Sequence, residues 1–113
     1  LYAALIRKLA ATDKDGVDLA SLFVFNYDSA SKKLSKSPTI PVNDLSTESL
    51  RNMQEGQSTL TRGLMQGFRN PINHAPMSAV VPSMISELDC LNILSLVSYL
   101  ANKLEYAESK TTP

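Results

Sequence analysis

Apolar residues recur every three or four positions along much of the chain, a spacing that is typical of amphipathic helices. The first such stripe predicts a helix over residues 1–12 and consists of Tyr2, Leu5, Ile6 and Leu9. Residues 12–16 should end this helix and provide the N-cap of the next element. The short apolar stretch at residues 17–25 fits either a helix of two turns or a strand, and Asp18 near its start favours a helix.

A polar stretch follows over residues 26–43, where serines and prolines predict an excursion that can contain a small β-hairpin. Three lysines, Lys32, Lys33 and Lys36, form a weak basic cluster in this stretch. Both a solvated loop and an RNA contact fit such a cluster, and the solvated loop is the preferred interpretation.

The longest predicted helix spans residues 46–69, with Ser46 as its N-cap and Glu48 near the positive end of the helix dipole. Its apolar residues fall on one face, which we expect to be buried: Leu50, Met53, Leu60, Leu64 and Phe68. Three glycines lie on a line beside that face: Gly56, Gly63 and Gly67. Because glycine inside a helix costs about 1 kcal/mol relative to alanine, the aligned glycines predict close approach by another helix, from the same chain or from a second subunit. Pro71 then breaks or kinks the helix.

A second long helix is predicted after a proline-containing connector at residues 75–85, and Ser86 and Asp89 have the spacing of a capping box. The apolar stripe that follows is wide enough to predict burial on more than one side: Leu88, Leu91, Ile93, Leu94, Leu96, Val97, Leu100 and Leu104. The predicted fold is therefore all-α. It is a small up-and-down helical bundle over residues 1–108, in which the last two helices form the core and a dimer interface, and a polar tail follows at residues 109–113.

The composition fits a single globular domain, because 43% of the 113 residues are apolar and 19% are charged. The formal net charge is zero, which argues against a protein that holds nucleic acid by bulk electrostatic attraction. The single cysteine, Cys90, excludes an intrachain disulfide, and its leucine neighbours predict a buried, unreactive thiol.

The location of the protein is predicted from what the sequence lacks. No signal peptide is recognisable, and residues 88–104 are too polar to span a bilayer, so we expect a cytoplasmic protein without membrane contact. Leu1, Leu5 and Leu9 also lie on one helical face, so the chain is expected to begin in mid-helix and to be a fragment of a longer protein.

Residues suited to chemistry gather where the long helix ends. His74 is the only histidine and is therefore the side chain best suited to proton transfer near neutral pH. Arg69 can neutralise a phosphate with a planar set of donors, and Asn70 or Asn73 can orient either partner. Taken alone, a histidine beside a helix break is more often a capping or surface residue than a catalytic one.

No cofactor or metal site is predicted. Residues 13–16 resemble the start of a calcium loop, but the glycine comes too early and Val24 stands where such a loop needs glutamate. The sequence has no glycine-rich phosphate loop and no cluster of metal ligands.

The hexapeptide RNPINH at residues 69–74 fits the R-polar-x-x-x-H motif of HEPN domains. Its surroundings resemble a bacterial and phage family, called Ymh-like, that carries an RNP-x-AH signature. The resemblance covers nearly the whole chain, through residues 16–19, 45–46, 53–56 and 63–71, His74, and the leucine-rich helix over residues 89–107. Asn73 departs from the small alanine of the signature.

The resemblance implies a helical bundle that dimerises and cuts RNA without a metal, by attack of a ribose 2′-hydroxyl on the neighbouring phosphate. Arg69 and His74 of two subunits would face one cleft. His74 would act as general base or acid, Arg69 would stabilise charge on the phosphate, and Asn70 would position the phosphate or His74. The implied biology is phage defence, abortive infection or a toxin–antitoxin system, with an antitoxin or an upstream regulatory domain as a further partner.

The alternative is a non-catalytic helical module for dimerisation or interaction. In that case Arg69 would pair with a helix end or an acidic residue, and His74 would cap the broken helix.

Overall fold

A computed structural model describes residues 2–69 and 86–111, which form a mostly helical domain with one two-stranded antiparallel hairpin. The elements in chain order are α1 (Tyr2–Ala10), a 3₁₀ helix (Gly16–Phe23), β1 (Asn26–Asp28), β2 (Lys33–Lys36), α2 (Glu48–Leu64), a π-helical turn (Met65–Arg69), α3 (Glu87–Asn102) and α4 (Glu105–Thr111). The predicted helical fold with a small hairpin inside residues 26–43 is confirmed.

The junction between the first two helices is fixed by Asp15. Helix α1 ends at Ala10, and Ala11 takes a left-handed backbone with a φ of 52°. The Asp15 carboxylate accepts a hydrogen bond of 2.8 Å from the Gly16 N–H and forms a 2.9 Å ion pair with Arg7. The predicted helix stop and N-cap are therefore confirmed. The apolar stretch after them, for which a helix of two turns or a strand was predicted, forms the 3₁₀ helix Gly16–Phe23.

The hairpin is held to α2 by an aromatic contact. The Arg51 guanidinium lies 3.8 Å from the centroid of the Tyr27 ring, a distance at which the cation and the ring attract each other. Within the turn, the Asp28 carboxylate accepts hydrogen bonds of 3.0 Å from the Ala30 N–H and from the Ser31 hydroxyl. The hairpin therefore has both an ordered turn and a fixed base.

Helix α2 buries a polar face, contrary to the predicted apolar one. Its N-cap is Thr47 and not Ser46, because the Thr47 hydroxyl accepts a 3.1 Å hydrogen bond from the Leu50 N–H. Met53 and Leu60, which we expected to be buried, are each 41% exposed. The buried residues of the helix are Gln54, Gln57, Thr61 and Leu64.

The reason for this polar face is the backbone that packs against it. Gln54 accepts a 2.7 Å hydrogen bond from the Val42 N–H, and its amide nitrogen donates to the carbonyls of Phe23 (2.9 Å) and Ile40 (3.0 Å). These backbone groups leave regular secondary structure and are buried, so they need partners. A leucine at position 54 could not supply them.

The hydrophobic core lies between α1, the 3₁₀ helix and the ends of the later helices. Its members are Tyr2, Ala3, Ile6, Leu19, Leu22, Phe23, Ile40, Val42, Leu64, Met65, Leu100, Leu104 and Ala107. The prediction that the last two long helices form the core is therefore only partly right, since α1 and the 3₁₀ helix also supply core residues. The two long helices contribute mainly their C-terminal ends, because the 3₁₀ helix packs along α2 in the place predicted for the last helix.

Helix α3 begins with the predicted capping box, in which Ser86 and Asp89 exchange two hydrogen bonds of 3.0 Å. The predicted burial on several sides is wrong for its N-terminal half, where Leu88, Leu91 and Leu94 are 65%, 57% and 61% exposed. Cys90 is also exposed, so the prediction of a buried thiol is wrong. More than half of each of these three leucines is therefore left uncovered.

The remaining predictions concern glycines, the chain end and membranes. Nothing in the described residues lies within 4 Å of a Cβ built at Gly56, Gly63 or Gly67, so the predicted close approach within the same chain is wrong for these ranges. Beyond residue 108, where a tail was predicted, α4 continues to Thr111. None of the described helices has the length and hydropathy needed to cross a membrane.

Candidate functional site

The predicted site begins at the C-terminal end of α2, where the helix widens into the π-helical turn Met65–Arg69. The Met65 N–H bonds to the carbonyls of both Thr61 and Arg62 at this transition. Leu64 and Met65 are buried in the core and fix the base of the turn. Single π-helical turns inside α-helices often accompany functional sites. Arg69 is the last residue of this anchored turn.

The other two predicted catalytic residues, Asn70 and His74, lie outside the described residues. The described chain resumes at Ser86, the N-cap of α3. That Arg69, Asn70 and His74 come together therefore stays a prediction, and what the structure adds is the fixed segment that precedes them.

A buried hydrogen-bond network supports this end of α2. The Tyr2 hydroxyl lies 2.7 Å from Thr61 Oγ1 and accepts a 2.9 Å hydrogen bond from the Gln57 amide, which also donates to the Leu100 carbonyl at 3.1 Å. Burial raises the pKa of Tyr2, and the hydrogen bonds that its hydroxyl makes with Thr61 and Gln57 offset this only in part. The network is neutral and fully paired, so its role is to join α1, α2 and α3, not to transfer protons.

Sequence reasoning missed this network, although a signal for it exists. Gln54, Gln57 and Thr61 are spaced i, i+3 and i+7, which places them on one helical face. All three are polar but uncharged, and such side chains can be buried if each polar atom finds a partner. Among the described residues, no buried side-chain nitrogen or oxygen lacks a hydrogen-bond partner.

An open groove of about 420 Å³ lies beside the base of the hairpin, lined by Phe23, Val24, Phe25, Asn26, Tyr27, Glu55, Ser58 and Thr59. The Ser58 hydroxyl already donates to the Ala20 carbonyl, and the Thr59 hydroxyl donates to the Glu55 carbonyl. Among the described residues that line the groove, none is a histidine, cysteine or lysine, and both hydroxyls are engaged in these backbone hydrogen bonds. Within residues 2–69 and 86–111, no three His, Cys, Asp or Glu side chains are grouped to hold a metal.

Comparison with known proteins places the chain in a family. A family model described as a protein of unknown function, Hypoth_Ymh, matches residues 2–104. The chain belongs to the Hypoth_Ymh family. No curated protein and no solved structure matches it. The predicted resemblance to Ymh-like proteins is thus confirmed, and the match includes the whole of residues 69–74.

Proposed function

We propose that this Hypoth_Ymh domain is a metal-independent endoribonuclease of the HEPN type, with Arg69, Asn70 and His74 as its catalytic residues. The observation that carries the proposal is the RNPINH segment at the end of an anchored helix: Arg69 ends a π-helical turn whose base is buried. Membership of the HEPN superfamily is part of this proposal, and so is the relation of the RNPINH segment to the RNP-x-AH signature.

The reaction is an internal transfer at one phosphate. A base removes the proton of a ribose 2′-hydroxyl, the 2′-oxygen attacks the neighbouring phosphorus, and the bond from phosphorus to the 5′-oxygen breaks. An acid returns a proton to that oxygen, so that the products are a 2′,3′-cyclic phosphate and a 5′-hydroxyl. His74 acts as base or acid, and Arg69 stabilises the charge that builds up on the phosphate. Asn70 positions the phosphate or His74.

The reaction needs both a base and an acid, and a homodimer supplies two copies of His74. The exposed leucines of α3 provide a surface for the second copy: Leu88, Leu91 and Leu94 are more than half exposed. Ser95, on the same helix, donates its hydroxyl to the Leu91 carbonyl at 3.2 Å. Because this hydrogen bond satisfies the hydroxyl donor within the helix, Ser95 is compatible with an apolar surface.

Charge at the two ends of α3 favours an antiparallel arrangement of two such helices. Glu87 and Asp89 lie in the first turn, and Lys103 follows the last turn. In a two-fold antiparallel pair, Glu87 and Asp89 of each helix lie toward Lys103 of its partner. The second copy is therefore the occupant that we assign to this apolar face.

The biology proposed with this activity is phage defence, including abortive infection, or a toxin–antitoxin system in the cytoplasm. An antitoxin or an upstream regulatory domain would control the nuclease. Control of this kind is expected for an enzyme that cuts cellular RNA.

A second function, a non-catalytic interaction module, is favoured by the same α3 surface. Exposed apolar residues that form one helix face are typical of binding sites. The zero net charge of the chain also fits a protein partner better than a nucleic acid.

Cleavage of a labelled single-stranded RNA in excess EDTA separates the two functions. The nuclease cuts the RNA, leaves cyclic-phosphate ends and loses this activity in His74→Ala. Asn73→Ala is the matched control, since the resembling signature has alanine at that position, and it should stay active. Equal cleavage by the wild-type chain and His74→Ala, or no cleavage by either, would contradict the proposal.

A further inference from the structure

The hairpin carries the two lysines of β2 on one face because of an irregularity in its register. Asn26 pairs with Lys36, whereas Asp28 pairs with Lys33, so that β2 contains one extra residue, Ser35. Side chains that are two residues apart on a strand share a face, and cross-strand partners share it too. Lys33 and Lys36 therefore lie on the face of Asn26 and Asp28. In a regular strand, residues three apart would point to opposite faces.

The opposite face of the hairpin is directed to α2. Tyr27 pairs with Leu34, and Arg51 of α2 covers the Tyr27 ring at 3.8 Å. Tyr27 is half-buried, whereas Lys33 and Lys36 are exposed. The β-bulge thus separates a face that anchors the hairpin from a basic face that points to solvent, in the way that bulges re-aim side chains elsewhere.

A third lysine, Lys32, lies in the turn next to the basic face. Lys32 is exposed and has a φ of 57°, a left-handed backbone that glycine or asparagine adopts at lower cost. Non-glycine residues held in such conformations often have a role in function.

The basic face has one acidic residue, and its carboxylate accepts hydrogen bonds within the turn. Between Asn26 and Ser37 there are three lysines and one aspartate. Hydrogen bonds from Ser31 and Ala30 lower the pKa of this aspartate, Asp28, so it stays ionised and offsets one of the three lysine charges. Glu55 of α2 lines the groove at the base of the hairpin. The local charge is therefore positive although the whole chain is neutral.

From this geometry we infer that the two lysines of the basic face, Lys33 and Lys36, together with Lys32 of the adjacent turn, bind the phosphate backbone of single-stranded RNA. The inference rests on the proposed ribonuclease for the identity of the polyanion. A face that combines lysines with Asn26 and has no apolar residue suits a sugar-phosphate chain, because phosphate contacts hold a strand without reading its sequence. A lipid surface is bound more strongly when apolar residues also enter the membrane, and this face provides none.

The test measures the binding of labelled oligouridylate to the 113-residue chain in a His74→Ala background, where cleavage is absent. One variant combines Lys32→Gln, Lys33→Gln and Lys36→Gln. Its matched control carries the same charge change at exposed lysines elsewhere: Lys8→Gln, Lys14→Gln and Lys110→Gln. Circular dichroism should give the same spectrum and thermal transition for both variants as for their parent.

At about 0.1 M salt, the hairpin variant is expected to bind RNA about tenfold to a hundredfold more weakly than its parent. The plot of log affinity against log salt concentration should become shallower by about 2, since each phosphate contact of a single strand contributes about 0.7. The control variant should keep the parental affinity and slope.

Three results would overturn the inference: equal RNA affinity of the hairpin and control variants, no RNA binding by the parent, or lysine-dependent binding to phosphatidylserine vesicles in place of RNA. Failure of the proposed nuclease looks different, because lysine-dependent RNA binding would then persist in a wild-type chain that does not cut RNA.

Discussion

The hydroxyl of Tyr2 in α1 lies 2.7 Å from Thr61 Oγ1 in α2, although the two residues are 59 positions apart in the sequence. Gln57 donates to the same tyrosine and to the Leu100 carbonyl of α3. One phenol therefore links the first helix to the segment that leads to Arg69, and Gln57 extends the link to α3.

Replacing Tyr2 with phenylalanine should destabilise the domain. The ring stays in the core, but buried polar atoms of Thr61 and Gln57 lose a partner. We expect the free energy of unfolding, measured with urea, to fall by about 1–3 kcal/mol. Tyr99→Phe is the control because Tyr99 is 47% exposed, and it should change stability by less than about 0.5 kcal/mol. Equal stability of Tyr2→Phe and the wild-type chain would show that the network contributes nothing.

The same tyrosine should make stability depend on alkaline pH. Burial raises the pKa of Tyr2 above its ordinary value of 10.0, so the folded chain keeps the phenol proton longer than the unfolded chain does. The stabilisation is complete below about pH 10 and is lost as the pH rises toward the folded-state pKa. The stability advantage of the wild-type chain over Tyr2→Phe, measured by urea unfolding at a series of pH values, should therefore shrink above about pH 10. An advantage that stays constant across this range would contradict the prediction.

Gln54→Leu tests the polar face of α2. The substitution removes the partner of the Val42 N–H and of the carbonyls of Phe23 and Ile40. We expect a loss of about 3 kcal/mol in the free energy of unfolding, since each buried unpaired group costs about 1–3 kcal/mol and water reaches some of them. Gln66→Leu is the matched control because Gln66 is exposed. If Gln54→Leu were as stable as this control, the hydrogen bonds of Gln54 would have no net effect.

The α3 surface can be tested through the oligomeric state. Combining Leu88→Glu with Leu91→Glu introduces four like charges into a two-fold interface, so a homodimer should dissociate to monomers in sedimentation analysis. The fold should persist, because both leucines are more than half exposed. Leu60→Glu, at an exposed leucine of α2, should leave the dimer intact. A wild-type chain that sediments as a monomer would rule out this interface.

The sequence by itself determined the features that depend on neighbouring residues. The capping box of Ser86 and Asp89, the stop before Asp15 and the helical character up to Arg69 follow from local hydrogen bonds and helix periodicity. The hairpin was predicted only as a small one somewhere in residues 26–43, because its register depends on the single extra residue Ser35.

Tertiary structure decided which faces are buried. The apolar stripe of α2 predicted an apolar interface, yet Gln54, Gln57 and Thr61 face inward because backbone groups distant in sequence need their donors and acceptors. Periodicity also could not tell that Leu88, Leu91 and Leu94 are exposed, since a stripe shows only that a helix has an apolar face. Which surface meets that face depends on the arrangement of the whole chain and, in the proposed homodimer, on a second copy.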